Sequence, residues 1–208
     1  MDTLDDFLKQ NFEAFQHPRF WFAKAHDLFK SAGMLASEER ALVLRYETAL
    51  IVASEKLDNS DVEHAEIECD EPNVFPIFLL YGYALENGLK AIIVDRDPSL
   101  IGREKIAAQV SQHDLVSLAE LASLSTSDAE REFLRWLTQV VVWKGRYNAP
   151  RKPDALGTFW ALDHLTGSTF DQCLEVIGGI FRRITAVLPR AITERRVGYG
   201  AVVRVSEE

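Results

Sequence analysis

Residues 74–94 are apolar on almost every side, and this segment constrains the fold more than any other part of the chain. A helix that is apolar all round lies buried at the centre of a domain. Glu86 and Lys90 nevertheless lie inside the segment, four residues apart. Charged side chains are almost never fully buried unless they are paired, and this spacing places both on one helix face. The sequence therefore predicts a central helix that contains a paired charge.

Composition and charge limit the classes of protein to which this chain can belong. The 208 residues are 47% hydrophobic and 26% charged, which is typical of a globular domain with a full core. The net charge of −9 argues against the whole molecule as an electrostatic match for nucleic acid. Seven of the fourteen residues 58–71 are acidic, so the rest is nearly neutral and leaves room for a local basic patch.

Several cofactor and location classes are also disfavoured. The two cysteines form no CxxC pair and no zinc-type spacing with histidine, so we expect no metal and no cofactor. The first residues are acidic and amphipathic, unlike a signal peptide. No uncharged apolar run approaches the length of a membrane span. We therefore expect a cytoplasmic protein with no membrane segment.

Helical periodicity covers most of the chain, and loops separate the predicted helices. Helices are predicted over 1–18, over 20–30 with an end at Gly33, and from an N-cap at Ser37 to about residue 57. An acidic surface loop is expected over 58–71. The central helix follows, with Pro72 or Pro76 in its first turn.

The second half shows the same pattern. His113-Asp114-Leu115 is predicted to open a helix, Ser127 and Glu130 form a capping-box pattern, and Ser168 or Thr169 is predicted to cap a last helix that ends before Pro189. The Gly178-Gly179 pair in that helix predicts a close helix contact or a bend. Residues 190–208 alternate like a β-strand around glycines, with no obvious partner strand, and are predicted to form an arm or a flexible tail.

These elements predict an all-α protein built as an up-and-down helical bundle. We expect one domain over residues 1–189, with an N-terminal helical extension at 1–57 and a short C-terminal arm at 190–208.

Three motifs occur in an order that resembles a known family. They are YGYALENGLKA at residues 81–91, HDLVSL at residues 113–118, and a helix over 137–143 that runs into GRYN at residues 145–148. This order resembles the HEPN domains (higher eukaryotes and prokaryotes nucleotide-binding), over roughly residues 75–188. The resemblance implies a helical bundle, homodimers, and a site for nucleotide or RNA.

The resemblance also implies roles for individual residues. Many HEPN members are similar to metal-independent ribonucleases with Arg followed after four to six residues by His. Arg146 fits the arginine position, but the following residues, YNAPRKPD, contain no histidine, and Asn148 stands where the family has proline. Without an imidazole, no group near neutral pKa is present there to take a ribose proton. The leading prediction is therefore a non-catalytic binding domain, within a toxin–antitoxin or defence-type system.

The candidate ligand-binding residues are grouped around these motifs. Lys144, Arg146 and Tyr147 form part of a basic turn, in which the cations would bind phosphate and the tyrosine would stack on a base. Lys90, Glu86 and His113 are the other candidates. Each also has a structural interpretation. The turn anchors to the bundle, the charge pair neutralises itself, and His113 packs at the bundle end and hydrogen-bonds to backbone or to the region of Glu86.

Two further functions stay open on the sequence alone. One is a ribonuclease that uses Arg146 with His113 as an unusual base. The other is a structural interaction module that binds partners through a bundle face or through the C-terminal arm. The expected partners are a second copy of the chain and a cognate antitoxin or a nucleotidyltransferase-type protein.

Overall fold

The computed structural model describes residues 4–59, 64, 66–102, 105–144, 166–193, 195–197 and 201–203, and these residues are almost entirely helical. The helices are α1 Leu4–Phe15, α2 Pro18–Asn59, α3 Phe75–Arg96, α4 Ala108–Ser111, α5 Leu115–Leu121, α6 Asp128–Gln139, α7 Gly167–Val187 and α8 Arg190–Thr193. A 3-10 turn spans Pro98–Leu100, and a π-helical turn, Val140–Lys144, continues α6. The predicted all-α class is confirmed.

Helix α3 is the central element of the core. Fourteen of its twenty-two residues are buried, including Glu86 and Lys90. By length and composition alone α3 could also cross a membrane, although 78% of its most apolar window is buried inside the protein. Buried core helices of soluble proteins meet the same criteria.

Helix α2 corrects the sequence prediction of two helices separated at Gly33. It runs unbroken for 42 residues through Gly33 and Ser37. A glycine inside a helix costs only about 1 kcal/mol relative to alanine, and here a buried stripe offsets that cost. The stripe consists of Phe22, Ala25, Ala32, Ala36 and Val43. Because this stripe belongs to the single buried cluster that contains α3, α2 is part of the core rather than an appendage to it.

The acidic segment is also shorter than predicted at its start. Asp58 and Asn59 still belong to α2, because helical hydrogen bonds continue past the last apolar residue. Residues 66–74 form no helix or strand, and residues 60–63 and 65 lie outside the described residues. Helix α3 begins at Phe75, so Pro76 rather than Pro72 occupies its first turn.

Close helix contacts occur at glycines other than the predicted pair. A Cβ on Gly88 would lie 2.9 Å from Cγ2 of Ile184 in α7, and one on Gly82 would clash with Val141. At Gly178 and Gly179 the nearest atoms are 3.7 Å and 3.9 Å away and belong to arginines of α7 itself. The prediction of close contact at the Gly178-Gly179 pair is therefore wrong, since α7 approaches α3 at Gly88.

Side-chain caps define the starts of three helices. Asp114 caps α5 by accepting hydrogen bonds from the N–H groups of Val116 and Ser117. Ser127 and Glu130 form the predicted capping box of α6. For α7 the cap is Thr166, two residues before the predicted Ser168, because Thr166 and Thr169 form their own reciprocal pair.

The C-terminal segment pairs with itself. Strand β1, Arg195–Val197, and strand β2, Ala201–Val203, form a two-stranded antiparallel sheet with Arg196 opposite Val202. The sequence predicted a strand-like arm or a flexible tail over residues 190–208, with no obvious partner strand. In the structure each of the two strands is the partner of the other.

Candidate functional site

Two charged side chains are buried side by side in α3. The Nζ atom of Lys90 donates a 2.7 Å hydrogen bond to Oε1 of Glu86, and the two side chains are only 4% and 6% exposed. The i,i+4 spacing predicted from sequence produces this contact because both residues lie on one helix face. Each charge compensates the other, which is the condition for burying either of them.

A third residue joins the pair from a different element. The Nδ1 atom of His113 lies 3.0 Å from both carboxylate oxygens of Glu86, and 53% of the His113 side chain is exposed. The structure thus brings together the predicted candidates Glu86, Lys90 and His113. We call these three residues the polar triad. Its members run from a fully buried ammonium, through a buried carboxylate, to a solvent-facing imidazole.

The start of α5 fixes the position of His113. Its neighbour Asp114 is the N-cap residue, and the N–H of Leu115 donates a 3.0 Å hydrogen bond to Oγ1 of Thr138 in α6. The side chain of Leu115 is fully buried. The backbone beside His113 is therefore tied to two helices, so its imidazole has a defined direction toward Glu86.

The contact with Glu86 also determines the chemistry of the imidazole. A carboxylate only accepts hydrogen bonds, so Nδ1 of His113 must be the donor and carries a hydrogen. In the neutral ring, the hydrogen-free atom is then Nε2, which is available as an acceptor or base. When the ring is charged, both nitrogens donate, and Nε2–H becomes a donor suited to an anion.

Trp21 covers the buried end of the triad. The ammonium of Lys90 lies 5.5 Å from the centroid of the Trp21 ring, within the range of a cation–π contact. The indole Nε1–H donates to the carbonyl oxygen of Gln16, which holds the ring in place. No sequence motif connects Trp21 with this site, because Trp21 and Lys90 are far apart in the chain and meet only through the packing of α2 on α3.

The predicted basic turn lies mostly outside the described residues. This holds for Arg146 and Tyr147, whereas Lys144 ends the π-helical turn that follows α6. The roles of these three residues in ligand binding therefore stay predictions.

Other charged pairs within the described residues do not involve the triad. Arg183 donates a 2.6 Å hydrogen bond to Glu130, and Arg40 forms a bidentate pair with Asp171. The described part of the chain contains no group of three or more His, Cys, Asp or Glu side chains that could hold a metal ion.

Comparisons with known proteins gave no match, whether with protein-family models, with curated proteins or with solved structures. The resemblance to HEPN domains therefore rests on the three motifs alone.

Proposed function

We propose that this protein is a non-catalytic, HEPN-like binding protein for the phosphate of a nucleotide or of RNA. In this proposal His113 is the triad residue that contacts the ligand. The observation that supports it most is the pairing of a half-exposed imidazole with a buried carboxylate at 3.0 Å.

The charges of the triad favour an anion. Glu86 and Lys90 neutralise each other at 2.7 Å, so a protonated His113 leaves the triad with one net positive charge. That charge is on the exposed member, whose Nε2–H points away from the bond to Glu86. A charged N–H donor forms short, strong hydrogen bonds with phosphate oxygens.

Glu86 and Lys90 act as positioning residues in this proposal. Both side chains are almost fully buried, so a ligand at the surface meets His113 before it meets either of them. Lys90 holds the carboxylate of Glu86, and Glu86 holds the imidazole. The sequence-based interpretation of Lys90 as a direct phosphate ligand is thus less favoured than its structural interpretation.

The basic turn would complete the site. Helix α6 ends in a π-helical turn immediately before residue 145, and such turns are frequent at functional sites. Arg146 and Lys144 would bind phosphate, and Tyr147 would stack on a base. A homodimer in the cytoplasm, with a cognate antitoxin or a nucleotidyltransferase-type partner, completes the proposal on the basis of the family resemblance.

Binding of a short single-stranded RNA, measured by fluorescence anisotropy at low salt, tests this function. We expect His113→Ala and Arg146→Ala each to weaken binding about tenfold, since each removes one charged contact with phosphate. His64→Ala is the matched control, because His64 is an exposed histidine that is not part of the polar triad. Unchanged affinity in both variants would overturn the proposal.

A metal-independent ribonuclease is the second candidate, and one observation favours it. Glu86 fixes the neutral imidazole of His113 with Nε2 free to accept a proton, which is the arrangement of a general base oriented by a carboxylate. Cleavage of RNA without added metal, abolished by His113→Ala but retained in His64→Ala, would establish it. Purified protein that leaves RNA intact would exclude it.

A further inference from the structure

A groove of about 900 Å³ lies at the corner between α1 and α2. Its walls are the end of α1, the start of α2, the end of α3 and residues near α8, and they include Phe15, Phe20, Asp95 and Ile192. This volume is in the range of small-molecule sites. We call it the corner groove.

Two phenylalanines give the corner groove exposed aromatic surface. Phe15 is 64% exposed and Phe20 is 38% exposed, and their ring centroids lie 5.8 Å apart with the planes tilted by 57°. Exposed aromatic rings at this distance offer faces and edges against which a planar ring packs. Such stacking contributes strongly to base binding and tolerates any base.

The groove also presents two hydrogen-bond donors. The guanidinium of Arg19 lies 4.6 Å from the centroid of Phe20, and Arg19 forms no ion pair among the side chains that the structure describes. Nδ1 of His17 accepts the N–H of Arg19 at 3.2 Å. The neutral ring of His17 therefore carries its hydrogen on Nε2, which is a donor.

We infer that the corner groove binds a planar aromatic ligand with an anionic group, such as a nucleoside monophosphate. The ring would stack on the face of one of the two phenylalanines and pack against the edge of the other, and the anion would bind Arg19 and Nε2–H of His17. Asp95 also lines the groove, and its carboxylate suits the amino or hydroxyl donors of the ligand. Neither the HEPN motifs nor the triad accounts for any of these residues.

The corner groove is separate from the polar triad but close to it. Val94 lines the groove one helical turn, about 6 Å, beyond Lys90 on the same side of α3. Trp21, which covers Lys90, donates a hydrogen bond to the carbonyl oxygen of Gln16 in the groove wall. The groove thus adjoins the buried end of the triad, whereas His113 is its exposed member, and a mononucleotide in the corner groove needs no contact with His113.

Isothermal titration calorimetry with AMP, adenosine and inorganic phosphate tests this inference. We expect AMP to bind and both partial ligands to bind at least tenfold more weakly, since stacking and anion contact are both required. A further titration, with a 5′-phosphorylated RNA hexamer and with its unphosphorylated form, distinguishes binding of an RNA end from binding of a free nucleotide. Absence of AMP binding, or adenosine binding as tightly as AMP, would overturn the inference.

Two pairs of variants locate the binding. Phe15→Ala and Arg19→Ala should each weaken the binding of AMP about tenfold. Phe7→Ala and Lys30→Ala are the matched controls, because they remove an exposed ring of α1 and an exposed cation of α2 that do not line the groove. AMP binding that is insensitive to both groove variants would refute the corner groove. The proposed function would still hold if His113→Ala weakened the binding of RNA.

A second copy of the chain is the competing occupant of this surface. Sedimentation velocity of the wild type and of Phe15→Ala distinguishes it from a small ligand. We expect AMP to bind without changing the oligomeric state. Wild type and Phe15→Ala should also have the same oligomeric state. A dimer that dissociates on Phe15→Ala, together with no AMP binding, would show that a protein surface covers the groove.

Discussion

Nδ1 of His113 lies 3.0 Å from each carboxylate oxygen of Glu86, so a buried acid on the central helix holds a half-exposed imidazole at the start of α5. Glu86 in turn accepts from Lys90. Each charge of the buried pair thus compensates the other inside the core, and the pair supports the residue that we propose to contact the ligand.

The buried pair should be costly to break and less costly to replace. Lys90→Met leaves Glu86 buried without its ammonium, and we expect a loss of about 3–5 kcal/mol in the free energy of unfolding. The double variant Glu86→Leu with Lys90→Met removes both charges and should recover most of that loss. Urea unfolding followed by circular dichroism measures both. A double variant as unstable as Lys90→Met would contradict the pairing.

Two glycine substitutions should have opposite effects. Gly88→Ala places a Cβ 2.9 Å from Ile184, and we expect it to destabilise the protein by about 1–3 kcal/mol through overpacking. Gly178→Ala meets only a flexible arginine at 3.7 Å, and should stabilise α7 by up to about 1 kcal/mol. Thermal unfolding of both variants provides the test. Equal destabilisation would show that α7 does not approach α3 at Gly88.

Stability in acid should depend on Glu130. Burial alone would raise the pKa of Glu130, but the N–H of Ser127 and the guanidinium of Arg183 hold it below 4.5, the unperturbed value. The stabilisation is therefore complete above about pH 4.5 and is lost as the pH falls through the lower pKa of the folded state. Glu130→Gln should reduce the loss of stability between pH 6 and pH 3.

Urea midpoints at several pH values measure this effect. Glu132→Gln is a matched control, because Glu132 is exposed on the same helix. A control variant that flattens the acid profile as much as Glu130→Gln would contradict the assignment.

Cys173 should react slowly as long as the protein is folded. Burial raises the pKa of its thiol to about 11, so only about 0.1% is thiolate at pH 8, and thiolate is the reactive form. In Cys69→Ser, alkylation of Cys173 by iodoacetamide at pH 8 should accelerate at least tenfold in 6 M urea. Mass spectrometry follows the reaction. Equal rates with and without urea would show that the thiol is accessible.

Local patterns were sufficient to predict much of the fold. The all-round apolar segment predicted the central helix, and the i,i+4 spacing predicted the contact of Glu86 with Lys90, because both depend only on residues close in sequence. The capping box at Ser127 and a helix start at His113-Asp114-Leu115 were also predicted. The same local logic placed a helix end at Gly33, where packing of α2 against α3 overrides the cost of a glycine.

Contacts between distant residues were less accessible. The sequence suggested that His113 bonds near Glu86, yet it gave no sign that Trp21 covers Lys90 or that His17 and Arg19 border a groove with Phe15. These contacts depend on the path of α2 beside α3, which no local pattern specifies. The sequence also predicted the close helix contact at the wrong glycine. Gly88 and Gly178 both lie inside helices, and only the packing of another helix against Gly88 distinguishes them.

Binding of single-stranded RNA to wild type, His113→Ala and His64→Ala tests the central claim most directly, provided that urea unfolding shows all three to be folded. The polar triad predicts that His113→Ala binds about tenfold more weakly and that His64→Ala binds like wild type. Equal affinity of all three proteins would contradict the account, because His113 would then be part of the scaffold rather than of a binding site.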